Sequence, residues 1–438
     1  MTRNEPTTIT RRRFLKTSLL YYAAFARFIP GSRANQIITH QPSPTTRINL
    51  LFIGVGFRGT ELLRAFLRLP DCRVAAVCDV DQQHAELARS FVNRHYGNND
   101  CRVYYDFREP LARPDLDAAV IALPLHWHSI PAITALKAGL DVYAEPPLAH
   151  TIKEGRTICN TVERYARVWQ TGTWRQADPR FKLAIDLIRK GHIGTVRSVE
   201  IGVPDSFVDC AGTAGQDNPA KPPPGLDYDM WLGPAPWAPY APARVHGNWR
   251  WHTDYGGGQL MEWIGHYMDI VQSSMSLDKT GPTQIHGTGQ APTSGLWNAI
   301  TKFRVHAVYN SGLTITVAAG DPQIPLGISW KGENGFIYTG PEKFVTQPPL
   351  PEPTYPPSQQ QLPPLIAHCR DFIDCIRSRK RTTAPVEHAQ RAATIGHLGQ
   401  IAIKLAKTLH WNPETEEFVG DQTANRFLNK TMREPWYI

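Results

Sequence analysis

Glu262, His266 and Asp269 stand at positions i, i+4 and i+7, so a helix running through them presents all three on one face. An imidazole beside a carboxylate suits removal of a proton from a substrate hydroxyl near neutral pH, with Asp269 or Glu262 orienting the ring or gripping hydroxyls. The trio also fits two other assignments. One is a buried helix histidine satisfied by a neighbouring acid. The other is zinc, for which no further His or Cys is suitably spaced. Just upstream, residues 249–255 interleave aromatic and charged side chains before three glycines. Aromatic faces stack on sugar rings while charged groups reach hydroxyls, so Arg250, Trp251, Asp254 and Tyr255 are candidate carbohydrate contacts. A loop merely anchored by its tryptophans reads the same way.

A second set of residues suits a nucleotide. Gly54, Gly56 and Gly59 form a Gly-x-Gly-x-x-Gly turn, with Phe57 and Arg58 inside it, between an apolar run (48–53) and a helix-like stretch (60–69). The first glycine permits the tight turn, the second lets backbone approach a pyrophosphate, and the third allows close helix–strand packing. Asp79 closes the next β-rich run (73–78), where a carboxylate accepts ribose hydroxyls and repels a 2′-phosphate. NAD is therefore the expected cofactor, with NADP kept open by Arg58.

Strand-like and helix-like stretches must position these groups. Strands at 118–123, 142–144 and 168–173 alternate with helices at 82–96, 130–138, 151–166 and 179–190. That alternation predicts an α/β fold whose N-terminal part is a Rossmann, doubly wound parallel sheet. Beyond it, 197–203, 283–290, 300–308, 312–319 and 334–339 read as strands of an open, largely antiparallel sheet with one wet face. Two final helices are expected at 365–379 and 386–409. The predicted organisation is a leader (1–34), an arm (35–47), a nucleotide domain (48–170) and an α+β substrate and oligomerisation domain (171–438).

A chain of 438 residues suits two domains. Its net charge of +8 points away from nucleic acid once located, because residues 1–34 carry +6 and leave about +2 for the rest. Those first residues resemble a twin-arginine export signal: Arg11-Arg12-Arg13-Phe14-Leu15-Lys16, a short apolar run to Phe28, then Ser32-Arg33-Ala34. The run is too short for a stable membrane span. A periplasmic location is implied, and with it a tightly held cofactor, since that route carries folded proteins to a place with no nicotinamide pool. The seven cysteines form no CxxC pairs, and no structural metal is expected from them.

Together the motifs resemble the glucose–fructose oxidoreductase/inositol dehydrogenase/rhizopine-catabolism (Gfo/Idh/MocA) family. The resemblance rests on 54–59, Cys78-Asp79-Val80-Asp81, Leu123-Pro124-Leu125-His126-Trp127-His128 and Glu145-Pro146-Pro147-Leu148. It continues through 172–173, 193–194, 229–237, 256–269, 368–380 and 411–436. It implies a Rossmann domain followed by an open sheet, a sugar or glycoside substrate, and a dimer or tetramer. It also places Pro124, His126, His128 and Glu145 near the nicotinamide end of the cofactor. The family's usual Glu-Lys-Pro lysine is absent here: Pro146 stands in its place and can donate no proton. On the helix, His266 and Asp269 match, Glu262 stands where Asp is usual, and Tyr267 replaces a frequent second His. His126 is then a candidate for the missing acid.

Three functions remain consistent with the residues. The first is NAD(P)-dependent oxidation or reduction at a CH–OH carbon of a sugar. The second is a redox-neutral glycoside hydrolase or lyase, since relatives that work so also lack the lysine. The third is a non-catalytic NAD-bound scaffold.

Overall fold

The computed structural model describes residues 47–341, 343–349 and 362–438, and the expected export signal and all but the last residue of the arm lie outside them. Strand β1 (Ile48–Ile53) is buried at five of its six positions, as a central parallel strand covered on both faces must be. It is followed by α1 (Phe57–Phe66), β2 (Cys72–Cys78), α2 (Gln82–Tyr96), β3 (Arg102–Tyr104), β4 (Ala118–Ile121), α3 (Ser129–Lys137), β5 (Asp141–Ala144), α4 (Ile152–Tyr165) and β6 (Trp169–Thr171). The six strands pair in parallel in the order β3-β2-β1-β4-β5-β6. The order reverses between β1 and β4, and the crevice beyond the carboxyl ends of those strands is where such sheets bind ligands. Both Gly54–Gly59 and Leu123-Pro124 open into that crevice.

The chain continues through α5 (Pro179–Arg189), β7 (Val196–Val203), α6 (Tyr228–Leu232) and α7 (Gly258–Met275). Strands β8 (Gln284–Gln290), β9 (Lys302–Val308), β10 (Thr314–Ala319), β11 (Gly327–Gly332), β12 (Gly335–Thr339) and β13 (Phe344–Gln347) come next. Helices α8 (Pro364–Ser378) and α9 (Val386–Leu405), strands β14 (Leu409–Asn412) and β15 (Glu417–Phe418), and the short α10 (Gln422–Asn425) complete it. The second sheet has the order β13-β12-β11-β7-β10-β9-β8-β14-β15, antiparallel throughout except where β7 and β10 run parallel. Strand β9 shows its one wet face: Phe303, Val305 and Ala307 point into the core while Lys302 and Arg304 are exposed.

Two helices lock the halves together. Helix α8 lays Ile366, Cys369, Phe372 and Ile373 onto the first sheet, in one apolar cluster with Phe52, Phe66 and Tyr143. Ion pairs fasten its middle and its C-terminal end, Arg370 to Asp71 at 2.6 Å and Arg379 to Asp141 at 2.6 Å. Helix α9 crosses α7 closely, because a side chain at Gly396 would run into Met261 and Ile264. The expected helix 386–409 stops at Leu405, where Ala406 turns left-handed (φ 51°) and frees Leu409 to start β14 beside β8.

Candidate active site

The glycine turn is built as a phosphate site requires. Gly54 has φ 84°, and a Cβ there would collide with the Ala122 carbonyl. A Cβ on Gly59 would collide with the Gly54 carbonyl, so these two glycines serve packing. Gly56 differs: the nearest atoms to a Cβ there are those of the His84 ring, 3.8 Å away, which leaves an open cradle. Helix α1 starts at Phe57 with Gly56 as its N-cap and no side-chain cap, so its first N–H groups remain free for an anion. Asp79 accepts the Val55 N–H at 2.9 Å and the Asp81 N–H at 3.0 Å, which fixes its carboxylate at the ribose end of the crevice. Burial raises the Asp79 carboxyl above its ordinary value, against the lowering by His84 and by these N–H donors. The residues present fit a dinucleotide.

At the other end of the crevice five charged residues form three ion pairs. Arg58 donates from Nε to Glu145 Oε2 at 2.8 Å, and from Nη1 to Glu61 at 2.9 Å. Arg250 donates from Nε to Glu262 Oε2 at 2.9 Å, with its guanidinium 4.4 Å over the Trp249 ring. Burial raises the Glu145 carboxyl; Arg58 pulls it down, Glu262 pushes it up and Arg250 pulls it down again. The nucleotide turn, the Glu145 segment and α7 therefore share one electrostatic site.

The face of α7 carries the rest. Its Gly265 rests on Pro146 and Pro147, so the segment that follows Glu145 lies directly under the helix. Burial, then Arg175 and Arg58, push the His266 imidazole well below its ordinary value and keep it neutral. His266 Nδ1 is buried without a hydrogen-bond partner, and so is Asp269 Oδ1. Asp269 does not bond to His266: its Oδ2 accepts from Gln176, and burial raises its carboxyl.

Several candidates take a different place. His126 is enclosed by Trp231 and Tyr255, with Nε2 at 3.0 Å from the Trp231 carbonyl, and burial lowers it to about 4. His128 bridges the Pro147 and Leu123 carbonyls at 2.8 and 2.9 Å, tying the Glu145 segment to the loop after β4. Trp251 is buried and donates to the Val208 carbonyl at 2.7 Å. Tyr255 is wholly buried and its hydroxyl accepts from Arg244 at 3.2 Å. Asp254 stays half exposed, 3.7 Å from His252 Nδ1. Of the aromatic loop, then, only Arg250 joins the charged site.

Sequence reasoning missed Arg175 and Gln176, which lie in a tight turn just after β6. The available signal was their place, two residues beyond Gly172-Thr173 at the carboxyl end of a parallel strand. Among the described residues one further group converges, Asp81, His84 and His246, whose ligand atoms lie within 4.8 Å of one another beside Asp79. It is distinct from the trio on α7.

Comparison with known proteins places the two domains. Residues 48–173 match the description "Oxidoreductase family, NAD-binding Rossmann fold", and residues 186–438 match "Oxidoreductase family, C-terminal alpha/beta domain". A glycosyl hydrolase family 109 protein of Shewanella sp. (strain ANA-3) is 31% identical over 169 residues, 35% of this chain and 37% of that protein. An alpha-N-acetylgalactosaminidase of Shewanella oneidensis is 30% identical over 175 residues, 36% of this chain and 37% of its own length. The chain thus spans little more than a third of these curated relatives. In structure it is similar to the WlbA dehydrogenase of Bordetella pertussis, solved with NADH and UDP-GlcNAcA, at TM-score 0.63 and 15% identity over 84% of this chain and 99% of that one. The aldose-aldose oxidoreductase of Caulobacter crescentus gives TM-score 0.62 at 15% identity, over 83% and 99%. No helix among the described residues is long and apolar enough to cross a membrane. With both of its domains matched in order, the chain belongs to the Gfo/Idh/MocA family of oxidoreductases.

Proposed function

We propose that the protein oxidises or reduces a CH–OH carbon of a sugar or sugar derivative, using a tightly held NAD. The observation that carries this reading is the packing of Gly265, next to His266 on α7, against Pro146 and Pro147, beside the Glu145 carboxylate that holds Arg58 of the nucleotide turn at 2.8 Å. Bound NAD supplies the acceptor or donor of hydride. His266, kept neutral by burial, takes the substrate hydroxyl proton at Nε2, which has no hydrogen-bond partner among the described residues. The orphaned His266 Nδ1 and Asp269 Oδ1 are a complementary donor and acceptor one helical turn apart, and their pairing would set that tautomer. Arg250 and Glu262 grip hydroxyls. Asp79 favours NAD over NADP by charge. Export by the twin-arginine route to the periplasm, with assembly as a dimer or tetramer, completes the reading.

A second reading is favoured by Pro146 and by the glycosyl hydrolase relatives. Transient oxidation of a hydroxyl would acidify the adjacent C–H, and elimination would expel the glycosidic oxygen. Addition of water and return of the hydride would then leave no net redox change.

The test begins with a mass spectrum of what the purified, denatured protein releases. Stoichiometric NAD supports both readings, whereas a protein that is empty and stays empty with either nucleotide overturns them. Product analysis then separates the two: an oxidised or reduced sugar marks the first, and aryl-glycoside cleavage without net redox change marks the second.

A further inference from the structure

We propose that Arg175 is an anion-binding residue of this site and that the sugar it serves carries a carboxylate, as a uronic acid or uronoside does. The proposal rests on the sugar-oxidoreductase reading above and narrows it.

The argument begins with the charges that are matched. Arg58 is held by Glu145 and Arg250 by Glu262. Asp269 is engaged by Gln176. Asp178, three residues further on in the same turn, is bound by Arg180, whose Nη2 lies 3.2 Å from Oδ2. Arg175 has no such partner. Among the described residues no carboxylate oxygen lies within 4.0 Å of its nitrogens, and its side chain makes no hydrogen bond. Its Nε is buried without an acceptor.

The guanidinium is nonetheless held in place. It lies 4.9 Å from the Trp174 ring centre, 5.2 Å from that of Trp263 and 5.9 Å from that of Tyr267. Trp263 and Tyr267 stand one turn apart on α7, their rings 5.1 Å apart. Aromatic faces orient a guanidinium but leave its charge and its N–H donors unmet. Burial pushes Arg175 down, the direction expected where no acid compensates. A partly buried, preoriented and unpaired cation against Trp263 and Tyr267, on the helix that carries the proposed base His266, is the complement of a planar carboxylate, which a guanidinium takes in a bidentate fork. A nucleotide phosphate has the same charge, but the uncapped start of α1 and the open face of Gly56 already provide for it.

The experiment is calorimetric titration of the nucleotide-loaded protein with D-glucuronate, D-galacturonate, D-glucose and D-galactose, in the wild type, Arg175→Gln and Arg175→Lys. The expected result is at least tenfold tighter binding of one uronate than of its neutral counterpart. Arg175→Gln should abolish that preference while keeping neutral-sugar binding, nucleotide content and melting temperature, and Arg175→Lys should keep part of it. Equal binding of uronates and neutral sugars by the wild type overturns the proposal and leaves the sugar reading standing. So does a preference that survives in Arg175→Gln. Loss of nucleotide from Arg175→Gln assigns the guanidinium to a phosphate and overturns the carboxylate. Failure of the loaded wild type to bind any of the four overturns both the proposal and the sugar reading. If Arg175→Gln does not fold, the wild-type preference and the lysine variant decide.

Discussion

Gly265 lies directly against Pro146: a Cβ added at 265 would sit 2.8 Å from the Pro146 Cβ and 3.3 Å from the Pro147 Cα. This contact sets how far α7 stands from the segment that carries Glu145, and it places His266 next to the contact itself. Replacing a mid-helix glycine by alanine ordinarily stabilises a protein by up to about 1 kcal/mol. Here overpacking reverses the sign, and Gly265→Ala should cost roughly 1–3 kcal/mol. Melting temperature and turnover should fall together; a rise in melting temperature would show that the helix has room to move.

The two glycines of the nucleotide turn should respond differently to the same change. Gly54→Ala meets the Ala122 carbonyl and a left-handed backbone, so it should destabilise the fold. Gly56→Ala has nothing closer than the His84 ring at 3.8 Å, so the melting temperature without nucleotide should hold while NAD content drops. Equal stability losses in the two variants would remove the argument that Gly56 faces ligand.

His266→Gln should lower turnover by about 10²–10⁴-fold, the usual contribution of a positioned general base. Nucleotide content should stay unchanged, because no nucleotide-turn residue bonds to this side chain. Since burial lowers His266, the acid limb of the wild-type pH–rate profile should lie below the ordinary histidine range near 6.5. A limb at or above 6.5 would contradict that placement.

Acid should destabilise the protein in a defined window. His126, His368 and His397 are buried, and burial lowers each to about 4, whereas in the unfolded chain they titrate near 6.5. Between those values the unfolded chain binds more protons, so folding stability is full above about pH 6.5 and declines as pH falls toward 4. Each histidine would cost on the order of 2–3 kcal/mol across the window. Denaturant midpoints at pH 7, 6, 5 and 4 would show the decline, and a flat profile from 7 to 5 would rule it out. His397→Leu should shallow the slope.

The first domain could be read almost completely from the chain, because parallel strands buried on both faces are unbroken apolar runs and the glycine turn has its own signature. The second sheet was legible only where pattern outlasted length. Strands β8, β9, β10 and β12 alternate over five residues or more, while β13, β14 and β15 are too short to show a period, as is β3 in the first sheet. Strand β11 (Gly327–Gly332) escaped although it has six residues, bounded by glycine at both ends. In the site, residue type was informative and direction was not. Arg250 and Trp251 are adjacent, yet one pairs with Glu262 in the crevice and the other is buried against the Val208 carbonyl. Arg175 carried no pattern of its own; its significance comes from acids that pair elsewhere, which is a property of the folded chain alone.

Helix α8 has a bearing on how the molecule comes into being. It covers Phe66 and Tyr143 of the nucleotide domain, yet it is encoded about two hundred residues after the last strand of that sheet. While the ribosome is still making the intervening segment, that apolar face has no cover, and the pocket for the dinucleotide rests on an unfinished support. Completion of the first domain therefore waits for nearly the whole chain, and a fragment ending at residue 173 should be sticky and poor at holding nucleotide. Synthesis order, as much as affinity, delays the moment at which a cofactor can be taken up for good.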